Sequence, residues 1–397
     1  MNTQNNLMSQ QDSFLIINAR LPKQSRQCYE LFIEQGIIKT IQTQSSPTKT
    51  DRALLDLQGD WISLGGVDLQ INGALGLAFP DLETKHLDKL LKISEFLWKQ
   101  GIDGFLPTLV TTSPEKMARS LSTICEYTQQ YQTENFPYTK ILGVHLEGPF
   151  LNPKKRGAHP ENYLLPFTLD NFMALIGKYR EQVRVVTCAP EISPENTIIG
   201  ELRSRYPEIL LSLGHSLATA TEAESAFNQG ATLVTHAFNA MSPLHHRDSG
   251  VLGAALIHPD VKCSFIADGE HISPTMLQLL LRMGEGAKRL FLVSDALAPL
   301  GLEDGVYPWD NREIEIIQGT ARLFDGTLAG TTLSLLSGAT NLVNWGLCEV
   351  ESAIALATES PRAVLGESGL AVGQPASLLR WHWDEKTQHL SWTRLLG

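Results

Sequence analysis

Short apolar runs alternate with amphipathic segments through the middle of the chain. Runs rich in Val, Ile, Leu and Phe lie at 61–71, 104–111, 140–146, 183–188, 209–213, 231–235, 261–267 and 289–294. Segments able to form helices lie between most of them, at 84–100, 113–131, 169–180, 193–205 and 219–229. Such alternation is typical of parallel strands covered by helices, and eight such strands close a barrel. The pattern predicts an α/β fold with a TIM-like (β/α)8 barrel over 61–370.

The two ends of the chain have a different pattern, in which short apolar stretches alternate with polar turns. Near the C-terminus, 376–383 and 389–393 flank a polar turn, which is typical of a hairpin. We expect 13–60 and 371–397 to form one small β-sandwich domain that also covers open strand edges. The polar segment 1–12 is expected to be disordered.

An insertion follows the eighth apolar run, at about 297–330. It contains a hairpin-like pattern at 313–324, and segments able to form helices follow at 332–343 and 351–358. The insertion is therefore expected to contain a hairpin.

Composition and charge narrow the classes of partner. The net charge of -11, without a dominant basic patch, argues against nucleic acid, although an acidic protein can still bind a small phosphate. Five dispersed cysteines without a CxxC pair indicate reduced thiols. There is no run of about 18 apolar residues and no signal-peptide pattern. We therefore expect a cytoplasmic protein that does not bind membranes.

Polar residues end most of the apolar runs, where the active site of such a barrel forms. They are Gln70 and Asn72, Glu147, His215, His236, Asp268 and His271, and Asp295. Taken singly, a histidine there is more often a hydrogen-bonded structural residue, and a carboxylate could equally cap the next helix. Together they would converge on one mouth, and burying so many polar groups without a ligand would be costly. The joint pattern predicts a metal site.

One carboxylate and two imidazoles, from Glu147, His215 and His236, suit Zn²⁺ or Fe²⁺ with a position left for water. The metal would lower the pKa of that water, the expected nucleophile, and polarise a scissile carbonyl. Asp295 would act first as the general base and then as the acid that protonates the departing nitrogen.

The same residues lie in motifs that resemble the N-acetylglucosamine-6-phosphate deacetylase family of the amidohydrolase superfamily. The matching stretches are VHLEGPFLN at 144–152, RGAHP at 156–160, LGHS at 213–216, THAFNAM at 235–241 with Arg247, ADGEH at 267–271, VSDA at 293–296 and LAGT at 328–331. They occur in this order over nearly the whole predicted barrel.

The resemblance implies hydrolysis of the acetamide of N-acetyl-D-glucosamine 6-phosphate to D-glucosamine 6-phosphate and acetate. It implies that Glu147, His215 and His236 hold the metal, that Asp295 handles the protons, and that His159, next to Ala158, polarises the acetyl carbonyl. It further implies residues that line the sugar phosphate: Asn239, Ala240, Asp268, Gly269, Glu270, His271, Leu328, Ala329 and Gly330. Arg247 would reach the phosphate from the neighbouring subunit of a homodimer.

The sequence departs from the superfamily at the end of the first run. Gln70 and Asn72 stand where most members carry His-x-His, and amides bind a divalent ion weakly compared with imidazole. We therefore predict one divalent metal per subunit, Zn²⁺ ahead of Fe²⁺ or another ion, with Gln70 and Asn72 as a weak second-metal or water site. Ser377 stands where an Asp is common, and the sequence offers no functional account of it.

Three alternatives remain open at this stage. N-acetylgalactosamine 6-phosphate differs from the expected substrate in the configuration of one hydroxyl, which these motifs do not resolve. A dihydroorotase-like or adenine-deaminase-like hydrolase of the same superfamily generally needs the missing His-x-His pair. A non-catalytic relative using the barrel as a binding module would be expected to have lost metal ligands or the base.

Overall fold

The N-terminal residues form a small sheet in the computed structural model, which describes residues 13–22, 27–44, 51–133, 136–194, 197–310 and 312–396. The segment 1–12, predicted to be disordered, lies outside these residues. The strands are β1 (Ser13–Ala19), β2 (Tyr29–Glu34), β3 (Ile37–Thr43) and β4 (Ala53–Asp56), and they pair in the order β3-β2-β1-β4. Side chains along β2 alternate between buried and more exposed positions, as expected for a strand with one face on a core.

A barrel of eight parallel strands occupies the middle of the described chain. After β5 (Trp61–Leu64), the strands are β6 (Gly66–Ile71), β7 (Gly73–Ala74), β8 (Leu77–Ala78), β9 (Ile102–Val110), β10 (Lys140–Ile141), β11 (Val144–Glu147), β12 (Val183–Cys188), β13 (Leu210–Leu213), β14 (Leu233–Val234), β15 (Lys262–Phe265) and β16 (Leu290–Leu292). The barrel order is β6-β9-β11-β12-β13-β14-β15-β16, and β7 and β8 form a separate short hairpin. Every side chain of β6 is buried, as in sheets covered on both faces.

Helices alternate with the barrel strands, as the sequence predicts. They are α1 (Leu87–Lys99), α2 (Pro114–Tyr131), α3 (Leu169–Ile176), α4 (Ile198–Arg205), α5 (Ala220–Asn228), α6 (Gly250–Ile257) and α7 (Pro274–Met283). α5 begins with a capping box, in which the side chains of Thr219 and Glu222 each accept from the other's backbone N–H. No helix of the described residues is long and apolar enough to cross a membrane.

The barrel closes where its first and last strands meet. Ile71 and Ala296 form a parallel bridge. The backbone N–H of Asp295 donates to the Gln70 carbonyl at 2.9 Å, and that of Asn72 donates to the Ala296 carbonyl at 2.7 Å. The polar residues that follow β6 and β16 therefore share one end of the barrel.

The insertion after β16 forms an antiparallel sheet of four strands, larger than the predicted hairpin. They are β17 (Gly305–Trp309), β18 (Arg312–Ile317), β19 (Thr320–Leu323) and β20 (Leu328–Thr331), paired in that order. The hairpin pattern captures only β18 and β19, because β17 and β20 are short and contain Gly or Pro. A bridge from Thr331 to Ala296 ties the sheet to the barrel mouth.

The end of the chain returns to the N-terminal sheet. After α8 (Leu335–Asn344), α9 (Val350–Ala357) and α10 (Glu359–Leu365), the predicted hairpin forms from β21 (Leu378–Asp384) and β22 (His389–Leu396). β21 also pairs with β5, so Trp61–Leu64 belongs to this sheet. The prediction that 61–71 forms one barrel strand is therefore wrong for 61–64. Residues of both terminal sheets, including Ile16, Leu31 and Leu378, share one apolar core. The predicted domain boundaries stay a prediction.

The predicted strand is interrupted at Gly65, where the carboxylate of Asp103 packs against the backbone. A Cβ at Gly65 would lie 2.2 Å from Oδ1 of Asp103. Asp103 Oδ2 accepts from the Gly65 N–H at 2.7 Å and from Arg362 at 2.9 Å. Its Oδ1 accepts from the Ser377 hydroxyl at 2.9 Å and from Arg394 at 3.1 Å. Ser377 thus has a structural position, in a cluster that joins the barrel to β21 and β22.

Candidate active site

Polar residues at the ends of four barrel strands converge on one cavity. Glu147 is the last residue of β11, and His215, His236 and Asp295 follow β13, β14 and β16 within three residues. All four line a cavity of about 660 Å³. His215, His236 and Asp295 have φ of 50°, 32° and 49°. Residues other than glycine rarely adopt such values, and this strain is typical of functional sites.

Three potential ligand atoms form a small triangle in this cavity. Glu147 Oε1 lies 3.2 Å from His215 Nε2 and 3.0 Å from His236 Nε2, and the two nitrogens are 3.1 Å apart. Ligands at about 2.0–2.1 Å from a tetrahedral Zn²⁺ are separated by about 3.3 Å. The three atoms therefore have nearly the spacing of one face of a metal coordination shell.

The hydrogen bonding of His215 supports a cation within this triangle. Its Nδ1 lies 2.9 Å from the Lys155 carbonyl, which can only accept, so Nδ1 carries the proton of the neutral ring. The lone pair of Nε2 then faces the carboxylate of Glu147, and these two acceptors repel one another unless a cation lies between them. The donor set fits a divalent metal, and the carbonyl fixes the ring orientation, as is common for metal-binding histidines.

His159 lies beside the same atoms with a different tautomer. Its Nε2 is 4.0 Å from Glu147 Oε2, within reach of a cation shared with Glu147 and His215. However, the backbone N–H of Thr111, a donor whose direction is fixed, points at its Nδ1 at 3.4 Å, and the Thr111 hydroxyl lies 3.0 Å from the same nitrogen and can donate to it as well. Nδ1 therefore accepts and Nε2 carries the proton. Burial, followed by the proximity of His215, lowers the pKa of His159 to about 3. The ring is therefore neutral at neutral pH and offers an N–H donor to the cavity.

Asp295 is held by two side-chain amides at the end of β6, those of Gln70 within the strand and Asn72 directly after it. Gln70 Nε2 donates to Asp295 Oδ1 at 3.2 Å and to Glu147 Oε1 at 3.0 Å, and Asn72 Nδ2 donates to Asp295 Oδ1 at 2.7 Å. The carboxylates fix this amide orientation, because the opposite one would bring oxygen against oxygen. N–H groups rather than ligand oxygens face the space between Glu147 and Asp295, which favours the predicted single metal. Burial and the charge of Glu147 raise the pKa of Asp295 to about 6.

The proposed sugar-phosphate residues are divided between the cavity wall and its surroundings. Those that line the cavity are Ala158, Asn239, Ala240, His271, Leu328 and Ala329. Behind them, Asp268 accepts from Nδ1 of His271 at 2.6 Å and orients that ring. Arg247 is exposed and does not line the cavity of its own chain. The Glu270 carboxylate pairs with Arg322 at 2.9 Å.

Among the cavity residues that the sequence analysis missed are Thr111, Trp309 and Arg312. Thr111 follows β9, so the rule that inspects strand ends could have found it. Trp309 and Arg312 come from the insertion, and no motif marks them. Their position depends on how the inserted sheet folds over the mouth.

Known relatives resemble the chain over most of its length, although no family model matches it. Human N-acetylglucosamine-6-phosphate deacetylase is 35% identical over 319 residues, which cover 78% of this chain and 76% of that protein. N-acetylgalactosamine-6-phosphate deacetylase of Escherichia coli O157:H7 is 30% identical over 343 residues, which cover 86% of each.

A solved structure shares the fold. A mutant N-acetyl-D-glucosamine-6-phosphate deacetylase from Mycobacterium smegmatis, in complex with N-acetyl-D-glucosamine-6-phosphate, superposes with a TM-score of 0.81 at 25% identity. The match covers 97% of this chain and 98% of that chain. The barrel, the inserted sheet and the terminal sheets therefore belong to one known architecture.

Proposed function

The chain belongs to the N-acetylglucosamine-6-phosphate deacetylase family of the amidohydrolase superfamily, and on this basis we propose that it deacetylates N-acetyl-D-glucosamine 6-phosphate. The products are D-glucosamine 6-phosphate and acetate. The observation that carries the proposal is the triangle of Glu147, His215 and His236, with ligand atoms 3.0–3.2 Å apart, beside Asp295 in one cavity.

Glu147, His215 and His236 would hold one divalent cation per subunit. Two imidazoles and one carboxylate are a common ligand set of catalytic Zn²⁺, which makes zinc our choice, and Fe²⁺ accepts the same ligands. When bound, the cation polarises the acetamide carbonyl and lowers the pKa of water toward neutrality.

Asp295 carries both proton transfers. Gln70 and Asn72 occupy its Oδ1, which leaves Oδ2 for the attacking water. Asp295 takes one proton from this water as the new C–O bond forms at the acetyl carbon. It then delivers that proton to the amide nitrogen as the C–N bond breaks, so the sugar leaves as an amine and the acetyl group as acetic acid, which loses its proton to become acetate. A pKa of about 6 suits both roles near neutral pH.

His159 stabilises the charge that develops on the carbonyl oxygen. Because its Nδ1 accepts from Thr111, its Nε2–H is free of any other assigned role and is available to donate to that oxygen. The hydrogen bond strengthens as the oxygen becomes negative in the transition state, which is the condition for catalysis by such donors.

The 6-phosphate would bind at the turn of Asn239 and Ala240, with His271, Leu328 and Ala329 along the sugar. We assign Arg247 to the phosphate of the neighbouring subunit in a homodimer, because its side chain is exposed and outside the cavity of its own chain. A guanidinium pairs well with a phosphate through two parallel hydrogen bonds.

We place the enzyme in the cytoplasm. All five cysteines are free in the structure, as expected for a reducing compartment. A phosphorylated sugar is charged and does not cross membranes unaided, so its hydrolase belongs where the sugar phosphate is.

Acetate release from the 6-phosphates of N-acetylglucosamine and N-acetylgalactosamine, and from the unphosphorylated sugars, tests this function. We expect the glucosamine phosphate to react best and the unphosphorylated sugars poorly. Asp295→Asn should lower kcat by roughly 10²–10⁴-fold with its metal content intact. A preference for N-acetylgalactosamine 6-phosphate would change the assigned substrate. Equal rates for phosphorylated and unphosphorylated sugars would refute the phosphate site.

A further inference from the structure

The tip of the inserted sheet reaches across the mouth of the cavity. Trp309 and Arg312 stand at the turn between β17 and β18 and line the cavity together with Ala158 and His159. The sheet and the loop that carries His159 are far apart in the chain. Arg312 Nη2 nevertheless donates to the carbonyl of Ala158 at 2.7 Å.

The guanidinium of Arg312 is held from its own side as well. Nε and Nη2 donate to the two carboxylate oxygens of Asp310 at 3.1 and 2.6 Å, a forked pair that fixes the plane of the group. The same guanidinium lies over the ring of Trp309, 4.8 Å from its centroid. About a third of the side chain is exposed. The donor that points at Ala158 is therefore oriented before any substrate binds.

The contact falls on the peptide bond that carries His159. The N–H of His159 donates to the Arg156 carbonyl at 3.1 Å, while the Ala158 carbonyl of the same peptide accepts from Arg312. Arg156 also donates to the His159 carbonyl at 2.8 Å. Both sides of this peptide plane are held, and among the residues that the structure describes only Arg312 holds it from outside the loop. Gly157 precedes it with a φ of 57°, a conformation that glycine adopts more readily than other residues.

We propose that Arg312 is a positioning residue. It fixes the Ala158–His159 peptide from across the mouth of the cavity and so holds His159 in place. The proposal rests on the proposed function, in which His159 Nε2–H donates to the acetyl carbonyl. The position of that donor depends on this peptide as well as on the Thr111 contacts at Nδ1, and a shift of about 1 Å at a reacting group can lower the rate roughly 100-fold.

The kinetic test uses the full-length enzyme with Arg312→Met, Arg312→Lys and, as matched control, Glu313→Gln, an exposed neighbour on β18. We expect Arg312→Met to lower kcat roughly 10- to 100-fold with KM unchanged, Arg312→Lys to recover part of the loss, and the control to match wild type. On the N-trifluoroacetyl analogue the loss should be smaller, because its carbonyl carbon needs less help from a hydrogen bond. A loss of equal size on both amides, or one confined to KM, would overturn the proposal.

A double-mutant cycle separates positioning from general damage. In a His159→Asn background, Arg312→Met should cause no further loss, because the group it positions is gone. Losses that multiply would contradict a role through His159. Deuterium exchange over residues 156–163, measured without substrate, should rise in Arg312→Met and not in Glu313→Gln, and unchanged exchange would likewise overturn the proposal. If the wild-type enzyme released no acetate, the proposed function would fail, whereas this exchange would still decide whether Arg312 holds the loop.

Discussion

Hydrogen bonds to the main chain decide which nitrogen each histidine turns toward the cavity. The Lys155 carbonyl keeps a proton on Nδ1 of His215, whereas the Thr111 amide leaves Nδ1 of His159 bare. One ring therefore presents a lone pair and the other an N–H, although both are buried in the same site. The division between metal ligand and hydrogen-bond donor follows from these two backbone atoms.

The carboxyl of Asp68, which has no role in the proposed reaction, lies buried between the first and last barrel strands. Asp68 accepts from the backbone N–H groups of Ser294 at 3.1 Å and Gln70 at 3.3 Å. Burial, which outweighs these hydrogen bonds, raises the pKa of Asp68 to about 7 from 3.8. Folding therefore favours the protonated form of this carboxyl.

Stability should fall with rising pH because of this residue. Between about pH 4 and pH 7 the folded state keeps a proton on Asp68 that the unfolded state releases, so the contribution is fully present below pH 4 and lost as the pH rises through 7. The change is about 4 kcal/mol for one such group. Urea midpoints of wild type and Asp68→Asn should thus converge toward low pH and separate toward pH 7, with wild type the less stable. Asp88→Asn, at an exposed aspartate, controls for the lost charge, and parallel curves for wild type and Asp68→Asn would refute this account.

At the scale of elements, the cluster around Asp103 joins three parts of the fold. The carboxylate at the start of β9 accepts from α10 through Arg362 and from β22 through Arg394. The side chains of both arginines are largely buried, at 7% and 14% exposed. Removing the negative charge of Asp103 would leave two largely buried guanidinium groups without their counter-ion. Removing one partner of a buried ion pair is costly.

Asp103→Asn should therefore lower the free energy of unfolding by about 3 kcal/mol or more. Ser377→Ala is the matched variant, because it removes one hydroxyl from the same cluster and should cost about 1 kcal/mol. Both values follow from urea denaturation monitored by tryptophan fluorescence, since Trp98 lies 3.5 Å from the Arg394 guanidinium. If the two variants lost equal free energy of unfolding, the buried charge of Asp103 would not be the source of the stability.

The elements also explain what could be predicted from the sequence. Glu147, His215, His236 and Asp295 were expected to meet because the carboxyl ends of parallel strands lie at one end of a barrel, and the structure brings them together. The position of Arg312 was not predictable in this way, because it depends on pairing within the inserted sheet and on a backbone carbonyl 154 residues away. Local patterns report strands and helices, whereas contacts of this kind arise only from the assembled fold.

At the scale of the whole molecule, the arginine that we propose for the phosphate lies apart from the rest of the site. Arg247 is exposed beside the turn of His245 and Asp248, outside the cavity. If it completes the site of a second copy, then each active site of the proposed homodimer needs both chains. This dependence can be measured, because the base and the arginine can be removed from different chains.

Mixing two variants tests that arrangement. Asp295→Asn lacks the base and Arg247→Ala lacks the arginine, so each homodimer should be poorly active. After denaturation and joint refolding, the mixed dimer contains one site with both groups, and acetate release at low substrate should recover to about half that of wild type per mixed dimer. Separately refolded variants are the control. No recovery in a mixture shown by mass spectrometry to contain mixed dimers would assign Arg247 to its own chain or to no site at all.

The pairing of β5 with β21 also means that β5 must wait for its partner strand during protein synthesis. Ser63 and its partner Trp381 are 318 positions apart in the chain, and a ribosome adding about 5–20 residues per second needs roughly 16–64 s to synthesise that interval. For that time this edge of β5 lacks the strand that pairs with it, although all the barrel strands are synthesised before β21. The emerging enzyme thus carries an open β-edge, a surface open to unwanted association, until β21 has been synthesised.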